Sequence, residues 1–297
     1  MNHKSGFVNI IGRPNVGKST LMNALVGERM SIITAKPQTT RHRIIGILSA
    51  DDYQIVFSDT PGIVKDPSYK MHESMNRFVE GTFEDADIMI LVTEVKEKYA
   101  PDDKTLQHMA SLDVPRFLVI NKIDQAGEET ILPLIAEWTQ KLKFDEVIPI
   151  SALQKTNTEK LLQLILQYLP EGPAYYPKDQ LTDRAERFFT TEIIREKILE
   201  QYEQEIPYSV EVVIEEFKET TTTKGEPLAR IMAVIYVMRR TQKAIIIGKQ
   251  GVAIKRLGIE ARKALETFLE TKVHLELFVK VADNWRDDER ALQRFGY

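Results

Sequence analysis

The residues best suited to chemistry lie in the stretch FVNIIGRPNVGKST, residues 7–20. From Gly12 to Ser19 it reads G-x-x-x-x-G-K-[ST]. The loop Gly12, Arg13, Pro14, Asn15, Val16, Gly17 can turn main-chain N–H groups inward. With the helix N-terminus that follows at Lys18, Ser19 and Thr20, they would cradle the phosphates of a nucleotide. Lys18 would reach the β and γ phosphates, and the Ser19 hydroxyl would be a ligand of Mg2+. An apolar run directly before the loop and LMNALV directly after it supply the strand and helix this motif needs.

Three later stretches add to that chemistry. In Asp59, Thr60, Pro61, Gly62 a carboxylate at a strand end can hold Mg2+ through water, and the Gly62 N–H can approach a γ-phosphate closely. In Asn121, Lys122, Ile123, Asp124 the Asp124 carboxylate can accept two hydrogen bonds, from the N1–H and the N2 amino group of guanine. Adenine has no such pair of donors, and a site built for a donor strongly rejects an analogue lacking it. Ser151 and Ala152 can back the base with a main-chain N–H. Each motif is weak alone. Their order and spacing point to a guanine nucleotide, GTP or GDP, bound with Mg2+.

The elements that must position these residues are legible as a pattern. Short β-rich runs at 7–11, 43–49, 53–58, 88–93, 117–120 and 147–150 alternate with helical periodicity, and several are apolar throughout, as strands covered on both faces are. The expectation is an α/β domain with a doubly wound, mostly parallel sheet, its ligands at the carboxyl ends of the strands. The 297 residues, 43% hydrophobic, suffice for two cores. No apolar run reaches bilayer length, no signal peptide is expected before the first strand, and the absence of cysteine excludes disulfides and thiolate metal sites. A cytoplasmic setting is expected.

Residues 168–177 contain three prolines and a glycine, the composition of a stiff connection. The expected division is 1–172 for the nucleotide, 173–183 as linker and 184–297 as a second domain. The net charge of −4 hides an asymmetry: residues 228–280 carry eleven Lys/Arg against four Asp/Glu, a net of +7, so the remainder sums to −11. The second half is arranged to meet an anion. Its elements read α-β-β-α-α-β, and Gly248-Lys-Gln-Gly251 falls between the two consecutive helices. As a bare pattern G-x-x-G says little; its place in a basic α+β domain carries the information.

Taken together, the first half resembles the translation-factor class of GTPases, and GRPNVGKS is typical of their ribosome-assembly and RNA-modification branches. KPQTTRH, residues 36–42, resembles the first switch segment of the Era family. The resemblance implies an α/β P-loop GTPase domain in which a switch threonine completes the Mg2+ shell. Thr39 and Thr40 both qualify, and Thr40 is preferred. The metal set is then Ser19, Thr40 and Asp59, and the catalytic set Lys18, Thr40 and Gly62. Ras-type enzymes place a glutamine after D-x-x-G to orient the attacking water. Here that residue is Ile63, as in related hydrophobic-substituted GTPases, so slow intrinsic hydrolysis is expected. Asn15 matches a residue that ligates K+ in potassium-activated relatives; a loop residue capping its own turn is the alternative.

The second half resembles a type II KH domain, which implies that Lys243, Ile247, Gly248, Lys249, Gln250, Gly251 and Lys255 meet a single strand of RNA. The ending W-x-x-D-E-x-x-L-x-x-x-G-Y from Trp285 to Tyr297 is similar to that of Era. Over nearly the whole chain the resemblance implies a monomeric GTP switch that binds 16S ribosomal RNA near its 3′ end and assists maturation of the small ribosomal subunit. A peripheral membrane contact is also implied. The alternative is a membrane-surface or cell-cycle regulatory GTPase whose basic domain binds anionic lipid.

Overall fold

The computed structural model describes residues 3–100 and 102–297, so the expectation about the first two residues and Pro101 lie outside the described residues. By their contacts, residues up to 66 and 73–183 form one compact unit, and 67–72 with 184–297 form another.

In the first unit β1 (Lys4–Ile11), β2 (Ile44–Ser49), β3 (Tyr53–Asp59), β4 (Ile88–Glu94), β5 (Arg116–Asn121) and β6 (Glu146–Pro149) form a sheet in the order β2-β3-β1-β4-β5-β6. Only β2, paired with β3, runs antiparallel. The helices are α1 (Lys18–Val26), α2 (Lys70–Glu84), α3 (Lys104–Ala110), α4 (Glu128–Lys141) and α5 (Thr158–Tyr168). On one face Val79, Leu106, Met109 and Trp138 of α2, α3 and α4 pack over Met89, Leu91, Leu118 and Ile120. The alternate residues Ile90 and Val92 are equally buried, so β4 is covered on both sides. Strand order reverses between β1 and β4, which opens a crevice at their carboxyl ends.

Residues 173–183, expected as a linker, lie against this sheet. The Gln54 amide oxygen accepts the N–H groups of Tyr175 (2.7 Å) and Tyr176 (2.9 Å), and its nitrogen donates to the Tyr176 carbonyl (2.8 Å). The Ile47 N–H of edge strand β2 donates to the Leu181 carbonyl at 2.8 Å.

The second unit contains α6 (Glu186–Gln201), β7 (Glu211–Thr221), β8 (Pro227–Val237), α7 (Arg240–Ile247), α8 (Val252–Leu269), β9 (Lys272–Val281) and α9 (Glu289–Phe295). Its sheet runs β7-β8-β9, antiparallel then parallel. The period-2 set Ile231, Ala233, Ile235 of β8 meets the helical-period set Leu257, Ala261, Leu265 of α8, with Ile194, Ile198 and Ile246 completing the core. Beyond β9, buried Trp285 donates its indole N–H to the Ser209 carbonyl (3.0 Å), which fastens the tail to the unit. None of the helices among the described residues is long and apolar enough to cross a membrane.

Candidate functional site

A cleft of about 500 Å³ opens at the carboxyl ends of β1, β3 and β5. Of the residues singled out from sequence, Pro14, Asn15, Gly17, Lys18, Ser19, Thr20, Thr40, Thr60, Gly62, Asn121, Lys122 and Asp124 line it. Lys18 is buried, and its ammonium donates to the carbonyls of Gly12 (3.0 Å) and Arg13 (2.9 Å). Burial lowers its pKa to about 8, against the pull of the Asp59 and Glu97 carboxylates. A nucleotide phosphate would relieve that penalty.

Three oxygens converge beside it. The Ser19 hydroxyl donates to Asp59 Oδ2 at 2.6 Å and lies 2.9 Å from Thr40 Oγ1, which is itself 3.4 Å from Asp59 Oδ2. Burial raises the Asp59 pKa, offset in part by Lys18 and the surrounding hydroxyls. A hard divalent cation prefers this all-oxygen set and would stabilise the buried carboxylate as an anion. Thr39 differs from its neighbour: its hydroxyl donates to the Lys36 carbonyl at 2.6 Å and meets Thr34 Oγ1 at 2.7 Å. Geometry therefore puts Thr40 with Ser19 and Asp59.

The base end rests on a brace. Asn121 donates to the Val16 carbonyl (2.8 Å) and accepts the N–H groups of Lys122 (2.8 Å) and Ala152 (3.0 Å). Lys122 donates to the Asn15 carbonyl (2.6 Å) and pairs with Glu94. One motif thus stiffens the phosphate loop and holds the loop after β6. Of the two main-chain N–H groups singled out to back the base, that of Ala152 donates to Asn121, and neither Ser151 nor Ala152 lines the cleft. Asp124 stands exposed at the rim, able to accept two donors.

Other residues of the loop point elsewhere. The Arg13 guanidinium leaves the cleft for the β4–α3 loop, where it donates to the Lys98 carbonyl (2.9 Å), pairs with Asp103 (3.0 Å) and sits 3.9 Å from the Tyr99 ring centre. Val16 is buried. At Gly62 an added Cβ would come within 2.6 Å of the Pro14 backbone nitrogen, so only glycine lets the two segments approach this closely. Ile63 packs with the apolar cluster beneath α2 and α3 and offers the cleft no polar side-chain atom.

In the second unit, α7 ends at Gly248 with φ 71°, and a 3-10 turn, Lys249–Gly251, leads into α8. A Cβ at Gly248 would stand 2.6 Å from the Ala253 Cβ and 3.0 Å from its nitrogen. Lys249, Gln250 and Lys255 are exposed, and Lys243 and Ile247 half-buried. Ile246 is core, whereas Ile245 is 54% and Val252 67% exposed on either side of the turn. Backbone free of side chains, flanking cations and bare apolar surface suit a sugar-phosphate strand with unstacked bases.

A family profile described as "50S ribosome-binding GTPase" matches residues 7–122, and one described as "KH domain" matches 205–286. The protein named GTPase Era from Syntrophus aciditrophicus (strain SB) is 48% identical over 295 residues, spanning 99% of this chain and 95% of its own. The chain belongs to the GTPase Era family. GTPase Era from Clostridium kluyveri is 44% identical over 99% of both chains. Two crystal structures of Era, each 39% identical and covering 99% of both chains, superpose closely. One, of an Aquifex aeolicus variant bound to GDP·AlF4−, has a TM-score of 0.93. The other, with MgGDPNP and nucleotides 1506–1542 of 16S ribosomal RNA, has a TM-score of 0.92.

Sequence reasoning missed several residues that line the cleft. Ile32, Ile33, Gln38 and Leu153 line the cleft, and Leu153 is 78% exposed directly after Ser151-Ala152. A large apolar residue adjoining a base-side motif, and Val252 adjoining the glycine turn, were the available signals.

Proposed function

We propose that this chain is a Mg2+-dependent GTPase switch that binds 16S ribosomal RNA near its 3′ end and assists maturation of the small ribosomal subunit in the cytoplasm. In this division of labour 1–172 handles the nucleotide, 173–183 connects and 184–297 binds RNA. One observation carries the nucleotide half: buried Lys18 lies beside the converging oxygens of Ser19, Thr40 and Asp59, in a cleft with Asp124 at its rim. Ser19 and Thr40 would hold Mg2+ directly and Asp59 through water; when bound, the ion neutralises charge on the phosphates. The Lys18 ammonium stabilises charge that develops on the β–γ bridge, and the Gly62 N–H faces the γ-phosphate. Asp124 selects guanine.

Ile63 leaves the water to main-chain groups, another group or a partner, so turnover without a partner is slow. Potassium beside the phosphates belongs to the same reading. The Asn15 amide donates to the Ala35 carbonyl at 3.1 Å, which brings a side-chain amide and a main-chain oxygen together at the rim. Equal rates in KCl and NaCl would remove it.

The RNA half rests on the Gly248–Gly251 turn and its flanking lysines, in a protein that acts as a monomer with at most a peripheral membrane contact. The test is to measure GTP hydrolysis with Mg2+ and the affinity for a 16S 3′-end RNA in GTP-analogue, GDP and empty states. Slow guanine-specific hydrolysis and state-dependent RNA affinity are expected. Equal RNA affinity in all three states would end the switch reading, and RNA-independent vesicle binding would favour lipid.

A further inference from the structure

The residue after D-x-x-G has no polar side-chain atom to aim a water, which leaves that task to main-chain groups such as those of 62–65, to another group or to a partner. The placement of that main chain then becomes a catalytic variable. Two side chains fix it. Asn76, half-buried on α2, clasps Val64 from both sides: its Oδ1 accepts the Val64 N–H at 3.0 Å and its Nδ2 donates to the Val64 carbonyl at 2.9 Å. Next in the chain, the Lys65 ammonium lies 3.1 Å from Asp103 Oδ2, the oxygen that also receives Arg13 of the phosphate loop at 3.0 Å. Asp103 Oδ1 meanwhile caps α3 by accepting the Thr105 N–H at 3.0 Å. Burial alone would raise the Asp103 pKa; the donors Lys65, Thr105 and Arg13 bring it below the usual value. Neither Asn76 nor Asp103 lines the cleft.

We propose that Asn76 and Asp103 are positioning residues for GTP hydrolysis. They hold the 62–65 main chain in register with the phosphate loop, in place of the water-orienting side chain that position 63 lacks. The inference rests on the GTPase reading of the cleft. Asn76 carries the larger share, because it fixes both main-chain polar groups of one residue in a half-buried place. The Lys65–Asp103 pair is exposed on the lysine side and contributes less. A clamp of this kind acts on k rather than on ground-state binding, since GDP has no γ-phosphate for water to attack.

The experiment is steady-state hydrolysis of Mg·GTP by the full chain, with GDP affinity and Tm measured in parallel. Asn76→Asp keeps the acceptor for the Val64 N–H and replaces the donor to its carbonyl; Asn76→Ala removes both. Each should lower kcat at least about tenfold while GDP affinity stays within about threefold. Asp103→Asn keeps the helix cap, so it should fold; it and Lys65→Met should each lower kcat by about two- to fivefold, and the double variant no further than the worse single. Wild-type kcat in the folded Asn76 variants, or parallel losses of kcat and GDP affinity, would overturn the proposal. Should the Asn76 variants not fold, additive losses or none in the 65/103 pair would overturn it. A wild-type chain that hydrolyses no GTP would instead overturn the GTPase reading itself.

Discussion

On the function proposed above, the cleft and the glycine turn grip anions in opposite ways. In the cleft Lys18, Asp59 and Thr40 are buried, Lys18 bonded to the Gly12 and Arg13 carbonyls and Asp59 to Ser19 and Thr40, so each member depends on its neighbours. At the turn Lys249, Gln250 and Lys255 stand in water, and Gly248 approaches Ala253 closely. A preformed low-dielectric site gains selectivity from hydrogen bonds that cannot be replaced by water. An open one relies on charge and shape, and is tuned by salt.

That contrast can be broken most severely at Lys18. Lys18→Ala should cost roughly a hundredfold in GDP affinity, the value of two charge-assisted hydrogen bonds, and leave RNA binding to the empty protein unchanged. Isothermal titration with each ligand checks both halves. Salt gives the next largest effect and the reverse selectivity. If about four phosphates meet the turn, RNA affinity should fall by about fiftyfold between 50 and 200 mM salt, following a slope of about 0.7 per contact. GDP affinity should change far less over the same range.

Gly248→Asp should lower RNA affinity by at least about tenfold, through a blocked backbone approach, a left-handed φ and an added negative charge. GDP binding and hydrolysis by the same variant should match wild type; a joint loss would mean that the substitution unfolds the chain. The smallest effect is of pH. Burial in the cleft lowers the Lys18 pKa to about 8. Below that pH it is already the ammonium that phosphate needs, so GDP affinity in EDTA should be flat. Above it binding must take up a proton, and affinity should drop by up to about tenfold per unit between pH 8 and 9. A flat profile through pH 9 would place the proton elsewhere.

Local motifs made the sheet, the phosphate loop and the base-side carboxylate legible, because each depends on a few consecutive backbone conformations and on strand or helix periodicity. The choice between Thr39 and Thr40 was not legible: the two hydroxyls are adjacent in sequence and part company only through their partners, Lys36 and Thr34 for one, Ser19 and Asp59 for the other. Arg13 sits inside the phosphate-loop motif yet serves as a strut to Asp103, ninety residues on. Asn76 reads as one polar residue on a helix; nothing in its spacing reveals that it holds Val64. Ala152 shows the same limit, since its amide is taken by Asn121 rather than left for the base. Side-chain bonds that span the fold carry no period, and these are what position the chemistry.

The chain after residue 172 has one more effect on the first unit. By accepting the Ile47 N–H at Leu181 and fitting Tyr175 and Tyr176 to Gln54, it shields the outer border of a sheet that would otherwise present unpaired main-chain groups to other molecules. A nucleotide-binding fragment cut at residue 172 should therefore self-associate as its concentration rises, and one cut at 183 should stay monodisperse in light scattering.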